Sequence, residues 1–553
     1  LLRADSTRRL LRDGMRFDVS RLEEERRRIT ALLADSGYYR FHKEYITFRA
    51  DTLRGTRLID LHLHLSPLSP LPTPHTRYSI RNIAYASGNP SDSRLHLRRH
   101  VLEECTHLEA GAPYSATALK NTFNHFGRLQ AVKYTNILLH PVGDEPLLDC
   151  DILLQTNKPS TLSFLPEGTN TAGDLGAAAS LTYQNRNLFM GGEVLSVELR
   201  GAYEAIRGLE GYSNQDFTEY SLESRLQFPR LIAPWLSREL RRRLSGVSEV
   251  SLLYDLQDRP EFHRRVLSAA WRYRWSLPDR PVRYQVDLLD LNYVFMPWIS
   301  PTFRREYLDN ETSRNAILRY NYEDLFITKL GFSVSLTKGM LALKAGVETS
   351  GNVLYASSRL FGASVDRQDH YRLFNIAFAQ YVKGDFDVTR SFLIDQNNRV
   401  VFHLGVGIAY PYGNSSVLPF EKQFYAGGAS SMRGWQTRAL GPGYSKQNDA
   451  FIIPSQTGDI KLEMNLEYRF DLFWKIEGAL FTDVGNVWNL QYQNTTEGLQ
   501  GAFLPDDFVN SLAADWGVGV RVNLEFILLR VDFGMKMRDP SRAEDKRLLG
   551  PRE

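Results

Sequence analysis

The chain has 553 residues, 43% of them hydrophobic, at a mean hydropathy of −0.34. Its apolar residues are dispersed, and no run approaches the roughly 20 that a membrane helix needs, which excludes a helical membrane protein but not a β-barrel, whose strands alternate. The net charge of +3 comes with no basic tail and no long block of like charge, so nothing recommends a nucleic-acid partner.

The first 157 residues read as mixed α and β. Ser20 with Glu23 forms a capping box ahead of a helix whose apolar stripe is Leu22, Ile29, Leu32 and Leu33, with Gly37 as its stop. The runs KEYITFRA and RLIDLHLHL follow as strands. A linker, SPLSPLPTPH, spans Ser66–His75, because prolines cannot sit in a central strand or a helix interior. The pattern then recurs in full. RYSIRNIAYA is a strand, LHLRRHVLEEC and Ala116–Gly127 are helices, and VKYTNILLHPV and LLDCDILLQ are strands. This gives one partial module (1–66) and one complete β-α-α-β-β module (77–157). Two cysteines, Cys105 and Cys150, are too few for a disulfide scaffold but could form one bond in an oxidising compartment. The opening LLRADSTRR shows no secretory signal and reads as a trimmed start.

From about residue 160 strand follows strand. In DIKLEMNLEYRFDL, Ile460, Leu462, Met464, Leu466, Tyr468, Phe470 and Leu472 alternate with Asp459, Lys461, Glu463, Asn465, Glu467, Arg469 and Asp471. Successive strand side chains alternate faces, so this strand has one oily and one charged side. About fifteen or sixteen runs behave alike. Many such strands are hard to pack in water. In lipid, a closed barrel turns the apolar face outward, the charged face toward a wet lumen, and leaves no open edge. Bacterial barrels have an even strand number, so the expected fold is a 16-stranded antiparallel membrane β-barrel over 158–553.

A long loop, Asn414 to Asp449, interrupts the strands and contains FYAGGASSMRGWQTRALGPG. Gly427 and Gly428 permit unusual backbone angles and close packing. Arg433 is the cation at its centre, and a guanidinium with five donors suits anchoring to carboxylates within a barrel. Glu467 on the charged face of one strand and Asp483 in FTDVGNVW on the next are its candidate partners.

The string YAGGASSMRGW, with Met432, Arg433, Gly434 and Trp435, resembles the sixth-loop motif of the BamA/TamA superfamily. FTDVGNVW and NLEY resemble that family's acidic strand motifs, and the N-terminal modules resemble its periplasmic POTRA domains. GYYRFHKEYITF, SLTYQNRNLF and ILLRVDFGMKMRDP look most like the TamL branch of Bacteroidota. The resemblance implies a Gram-negative outer-membrane protein. Its POTRA domains would receive unfolded outer-membrane clients, and its barrel would insert or export them through a weak seam, with no catalytic residues and no cofactor. A TamB-like periplasmic protein and outer-membrane lipid are the implied partners. A dedicated secretor for one partner protein and a passive channel are the competing readings.

In this chain the seam would join the strand carrying Leu165, Pro166 and Gly168 to the one carrying Leu529, Val531 and Phe533. Pro166 removes a ladder donor and Gly168 adds no packing, so the pairing would be weak. His62 and His64 in LHLHL share a strand face, but no third metal ligand is evident. The Arg26–Arg28 triplet reads as the wet face of a helix, and Glu306–Arg319 as a solvated loop. No G-x-S-x-G, P-loop or Cys-x-x-Cys occurs, so the chain is not expected to be an enzyme.

Overall fold

The computed structural model describes residues 9–548 apart from 53–54, 56–57, 69–73, 90–93, 172–173, 206–215, 245, 261, 278–279, 302–303, 306–323, 367–369, 374–375, 446–455, 491–500, 526 and 543–546. The segment expected as a solvated loop at 306–319 therefore lies outside the described residues, as do positions 446–449 of the long loop. The chain divides into two compact units, Leu1–Thr161 with Gln184–Leu195, and Leu162–Tyr183 with Ser196–Glu553.

The first unit opens with helix α1 (Val19–Asp35). Its N-cap is Asp18 rather than Ser20. The Asp18 carboxylate accepts from the Ser20 backbone N–H at 2.9 Å, which places Ser20 inside the first turn. Ile29 and Leu33 pack with Phe41 and Ile46 into a small core, with strands β1 (Ile46–Thr52) and β2 (Ile59–Leu65) pairing antiparallel beyond it. His62 and His64 are exposed on β2. Of the Arg26–Arg28 triplet expected on a wet face only Arg27 is exposed, since Arg26 pairs with Glu23 at 3.0 Å and Arg28 with the buried Glu25 at 2.7 Å.

The complete module follows as β3 (Ser79–Ser87), α2 (Arg99–Cys105), α3 (Ala116–Arg128), β4 (Val132–Pro141) and β5 (Leu147–Thr156). Its sheet runs β3-β5-β4, with β5 parallel to β3 and antiparallel to β4. Period-2 alternation puts Leu148, Cys150, Ile152 and Leu154 of the central strand on one face, and all four are fully buried beneath the helices. Burying a Leu or Ile side chain contributes about 1.5–3 kcal/mol, so this face holds the module together. The disulfide considered between Cys105 and Cys150 is absent. Both are buried thiols within this hydrophobic core, packed as small apolar groups.

The second unit is one large antiparallel sheet. In chain order its strands are β6 (Ser160–Thr171), β7 (Asp174–Asn185), β8 (Val194–Ala205), β9 (Asp216–Phe228), β10 (Val247–Asp258), β11 (Phe262–Ser276), β12 (Val282–Ile299), β13 (Leu325–Lys338) and β14 (Leu341–Ser350). A separate two-stranded pair, β15 (Arg372–Leu373) with β16 (Ile376–Ala377), packs on β13, where Ile376 shares a buried cluster with Phe326. The sheet resumes with β17 (Tyr381–Leu393), β18 (Asn398–Pro411), β19 (Ile460–Phe473), β20 (Ile476–Trp488), β21 (Ala513–Asn523) and β22 (Leu528–Arg538). Each pairs with its neighbours in that order, so fifteen strands form the sheet among the described residues, one fewer than the expected sixteen. β6 and β22 end the order and do not pair with each other there, so the sheet is not closed.

Its burial is the reverse of a water-soluble sheet. On β21, Trp516, Val518 and Val520 are exposed, while Asp515 and Arg521 on the other face are buried. On β19, Leu466 and Tyr468 are exposed and Glu463 and Glu467 buried. Charged residues are almost never fully buried unless paired, and large contiguous apolar surface is not left in water. This pattern suits an apolar solvent outside and a polar interior.

Candidate functional site

The sequence between β18 and β19 forms a loop that folds onto the charged face of the sheet. Its tip is shaped by backbone geometry first. Gly427 and Gly428 adopt φ of 102° and 103°, the left-handed region. A Cβ on Gly427 would sit 2.1 Å from the Gln436 carbonyl oxygen, so only glycine lets the two arms of the tip close on each other. Apolar packing then fixes the tip. Ala426, Met432, Trp435 and Leu440 are buried with Val487 of β20 and Ala513 of β21.

This places Arg433 beside both acids. Its Nε and Nη2 donate to the two oxygens of Asp483 at 2.8 and 2.7 Å, a bidentate fork. Its Nη1 donates to Glu467 at 2.7 Å, and its backbone N–H donates to Asp483 at 3.1 Å. The guanidinium lies 3.4 Å over the ring centre of Phe481, two residues before Asp483 on the same face of β20. All three charged side chains are withdrawn from water, with Arg433 5%, Glu467 7% and Asp483 0% exposed.

The surrounding shell was not apparent from sequence. Asp515 accepts from the Gly434 backbone N–H at 2.8 Å, and a Cβ at position 434 would come within 2.8 Å of the Asp515 Cβ. That is the reason for glycine in the Arg-Gly pair. Asn465 donates to the Ser431 carbonyl and to Asp483, both at 2.9 Å. Glu467 also receives Arg521 and Arg469, so three arginines meet on one carboxylate. Arg530 of β22 donates to the Ala429 carbonyl at 2.8 Å. Asp483 and Asp515 stand directly opposite on paired strands, a register that the sequence of neither strand carries. Lys536 lies 5.0 Å from the Trp435 ring centre.

The arrangement is suited to holding the loop tip against the strands, since Arg433, Glu467, Asp483 and Arg521 pair with one another. Among the described residues no group of three or more His, Cys, Asp or Glu is placed to hold a metal. The residues expected at a seam lie on the two strands that end the order, and no pairing between those strands is present among the described residues. Leu165, Pro166 and Gly168 lie on β6, and Leu529, Val531 and Phe533 on β22, at opposite ends of the strand order.

Residues 347–548, which contain the loop and its acids, match the Omp85 superfamily domain. A 115-residue stretch is 30% identical to the outer membrane protein assembly factor BamA of Neisseria meningitidis serogroup B, strain MC58. It takes in 20% of this chain and spans 14% of that protein's length. The crystal structure of BamA from Haemophilus ducreyi lacking POTRA domains 1–3 superposes with a TM-score of 0.58 at 13% identity, over 98% of this chain and 93% of that one. That likeness establishes the fold of the large sheet. CdiB from Acinetobacter baumannii superposes at 0.45 with 12% identity, over 95% of this chain and 80% of its own. The superfamily likeness rests on the domain match over residues 347–548 and on the stretch shared with the Neisseria protein.

Proposed function

We propose that this chain is an outer-membrane protein assembly or translocation factor of a Gram-negative bacterium. Its sheet spans the membrane as a barrel wall, and its α/β modules are POTRA-type domains in the periplasm that take up unfolded outer-membrane clients. A client strand would add to a module's sheet edge, where backbone hydrogen bonds give affinity with little demand on sequence. The finer placement is in the TamL branch, with a TamB-like periplasmic partner and outer-membrane lipid around the wall.

The observation that carries this reading is Arg433 buried between Glu467 and Asp483 on the inner face of an inside-out sheet. A passive pore has no need of a loop fixed across its interior by three charge-assisted bonds. A dedicated secretor for one partner protein would use the same scaffold, since a transporter does not encode its client.

The test is client folding in liposomes. The purified chain is reconstituted, a urea-denatured barrel client is added, and folding is followed by the heat-dependent gel shift. The native chain is expected to accelerate folding, and Arg433→Ala to lose that acceleration while still folding itself. Steady ion conductance with no acceleration would favour the channel. Neither effect, with export of one cognate protein, would favour the secretor.

A further inference from the structure

The Arg433 latch occupies only one end of the loop. At the other end a short turn, Phe420–Lys422, meets a different set of strands. Glu421 pairs with Arg264 of β11, and the Lys422 ammonium lies 3.6 Å from Glu348 of β14. Lys383 of β17 donates to the Lys422 carbonyl at 2.8 Å and lies 4.1 Å from the Phe424 ring centre. Phe424 in turn covers Gly407 of β18, where a Cβ would come within 2.4 Å of the ring. Tyr381 of β17 donates to Glu348 at 3.1 Å, and Lys329 of β13 lies 3.6 Å from the same carboxylate. The polar contacts of the two anchorages fall on different strands: Arg433 and Gly434 reach β19, β20, β21 and β22, whereas residues 421–422 reach β11, β14 and β17. Phe424 packs against the apolar clusters on both sides.

We infer that the loop is a strut held by two clasps whose ion pairs lie on different strands, and that Arg264 and Glu421 are positioning residues that keep its stem in place when the Arg433 latch is released. One clasp alone would leave a tethered arm that pivots. Two clasps on separated strands fix both its position and its direction. The chemistry of the two differs in a way that suits separate use. The Arg433 clasp is desolvated, so it is slow to break. The Glu421–Arg264 pair is partly exposed, at 35% and 26%, so water can compete for it and it can release first. This inference rests on the assembly reading only for its purpose, not for its geometry.

The experiment uses the full chain in planar bilayers. Native protein and Arg433→Ala are compared with Glu421→Arg, with the swapped pair Glu421→Arg/Arg264→Glu, and with Arg433→Ala/Glu421→Arg. Glu421→Arg places two cations together and is expected to raise the time-averaged conductance several-fold. The swapped pair should return it to the native level. The Arg433→Ala/Glu421→Arg protein should exceed either single change by more than their sum. Should Glu421→Arg not fold by gel shift, Glu421→Gln carries the same readout. Native conductance in Glu421→Arg, or no rescue by the swap, overturns the second clasp. Client folding is measured on the same preparations, so a native chain that fails to fold clients while the conductance pattern holds would refute the assembly reading and leave the clasp standing.

Discussion

Removal of the Arg433 guanidinium is the most decisive perturbation. It makes three charge-assisted hydrogen bonds, two to Asp483 at 2.8 and 2.7 Å and one to Glu467 at 2.7 Å. Such bonds are worth about 1.5–3 kcal/mol each, but they share one cation and do not add. What truncation leaves behind matters more. Asp483 is fully buried and would keep Asn465, the backbone N–H of residue 433 and the neighbouring Asp515 carboxyl, but no cation bonded to it. Removing one partner of a buried ion pair costs about 3–5 kcal/mol, because the remaining charge is uncompensated. Glu467 retains Arg521 and Arg469, so it suffers less. Arg433→Ala should therefore lower the unfolding free energy by about 3–5 kcal/mol. Adding Asp483→Asn should recover part of that loss, and adding Glu467→Gln should recover less. Guanidinium unfolding of the vesicle-inserted protein, read by tryptophan fluorescence, measures the native protein, Arg433→Ala, the two double variants and Asp483→Asn alone. A cost below about 1 kcal/mol, or an Asp483→Asn cost that simply adds to that of Arg433→Ala, would refute the reasoning.

Three further outcomes follow from the geometry. Gly427→Ala forces a left-handed residue against the Gln436 carbonyl and should cost about 1–3 kcal/mol, seen as faster proteolysis of the loop. Gly168→Ala, with nothing within 4 Å of the added Cβ, is its near-neutral control. Leu480, 49% exposed on the outer face of β20, should face lipid. Leu480→Arg then costs up to about 4 kcal/mol in vesicles if the position lies near the midplane, whereas a water-facing position would show almost no cost. Burial, with Asp151 nearby, pushes the Cys150 thiol up to about 11, so iodoacetamide at pH 8 should label it only after unfolding.

The strands were legible because a period of two is a strong one-dimensional signal. β8, β18, β19 and β22 fall where the alternation of Leu195–Tyr203, Val400–Tyr410, Ile460–Leu472 and Ile527–Met537 puts them, to within about two residues. The loop cation and its two acids were legible for the same reason, since alternation tells which face Glu467 and Asp483 occupy. Asp515 was not. On a charged face every acid looks alike until the pairing of β20 with β21 sets Asp515 opposite Asp483 and under Gly434. Register between strands is a long-range property that no single strand carries. The cap of α1 was misread on a smaller scale, because Asp18 and Ser20 are both good caps and only the true start of the helix decides between them.

The seam requires a different argument from the one its residues suggest. The pairs from β9 through β22 are all antiparallel, so strand direction alternates along that part of the order. If that alternation continues through β8, β7 and β6, the fifteen strands of the described residues leave β6 and β22 pointing the same way. Direct closure would need a parallel pair, whose slanted bonds are slightly less stable than antiparallel ones. β6 is a poor partner for that, since Pro166 lacks a donor N–H and residues 160–168 are all exposed. A strand antiparallel to both edges would satisfy the two rows of unpaired backbone groups at once, and lipid makes leaving them unpaired expensive. With Cys105 and Cys150 replaced by serine, Leu165→Cys and Val531→Cys should therefore fail to cross-link directly in vesicles under mild oxidation. An efficient disulfide between them would mean that β6 and β22 close on each other in parallel, and the antiparallel insertion would be ruled out.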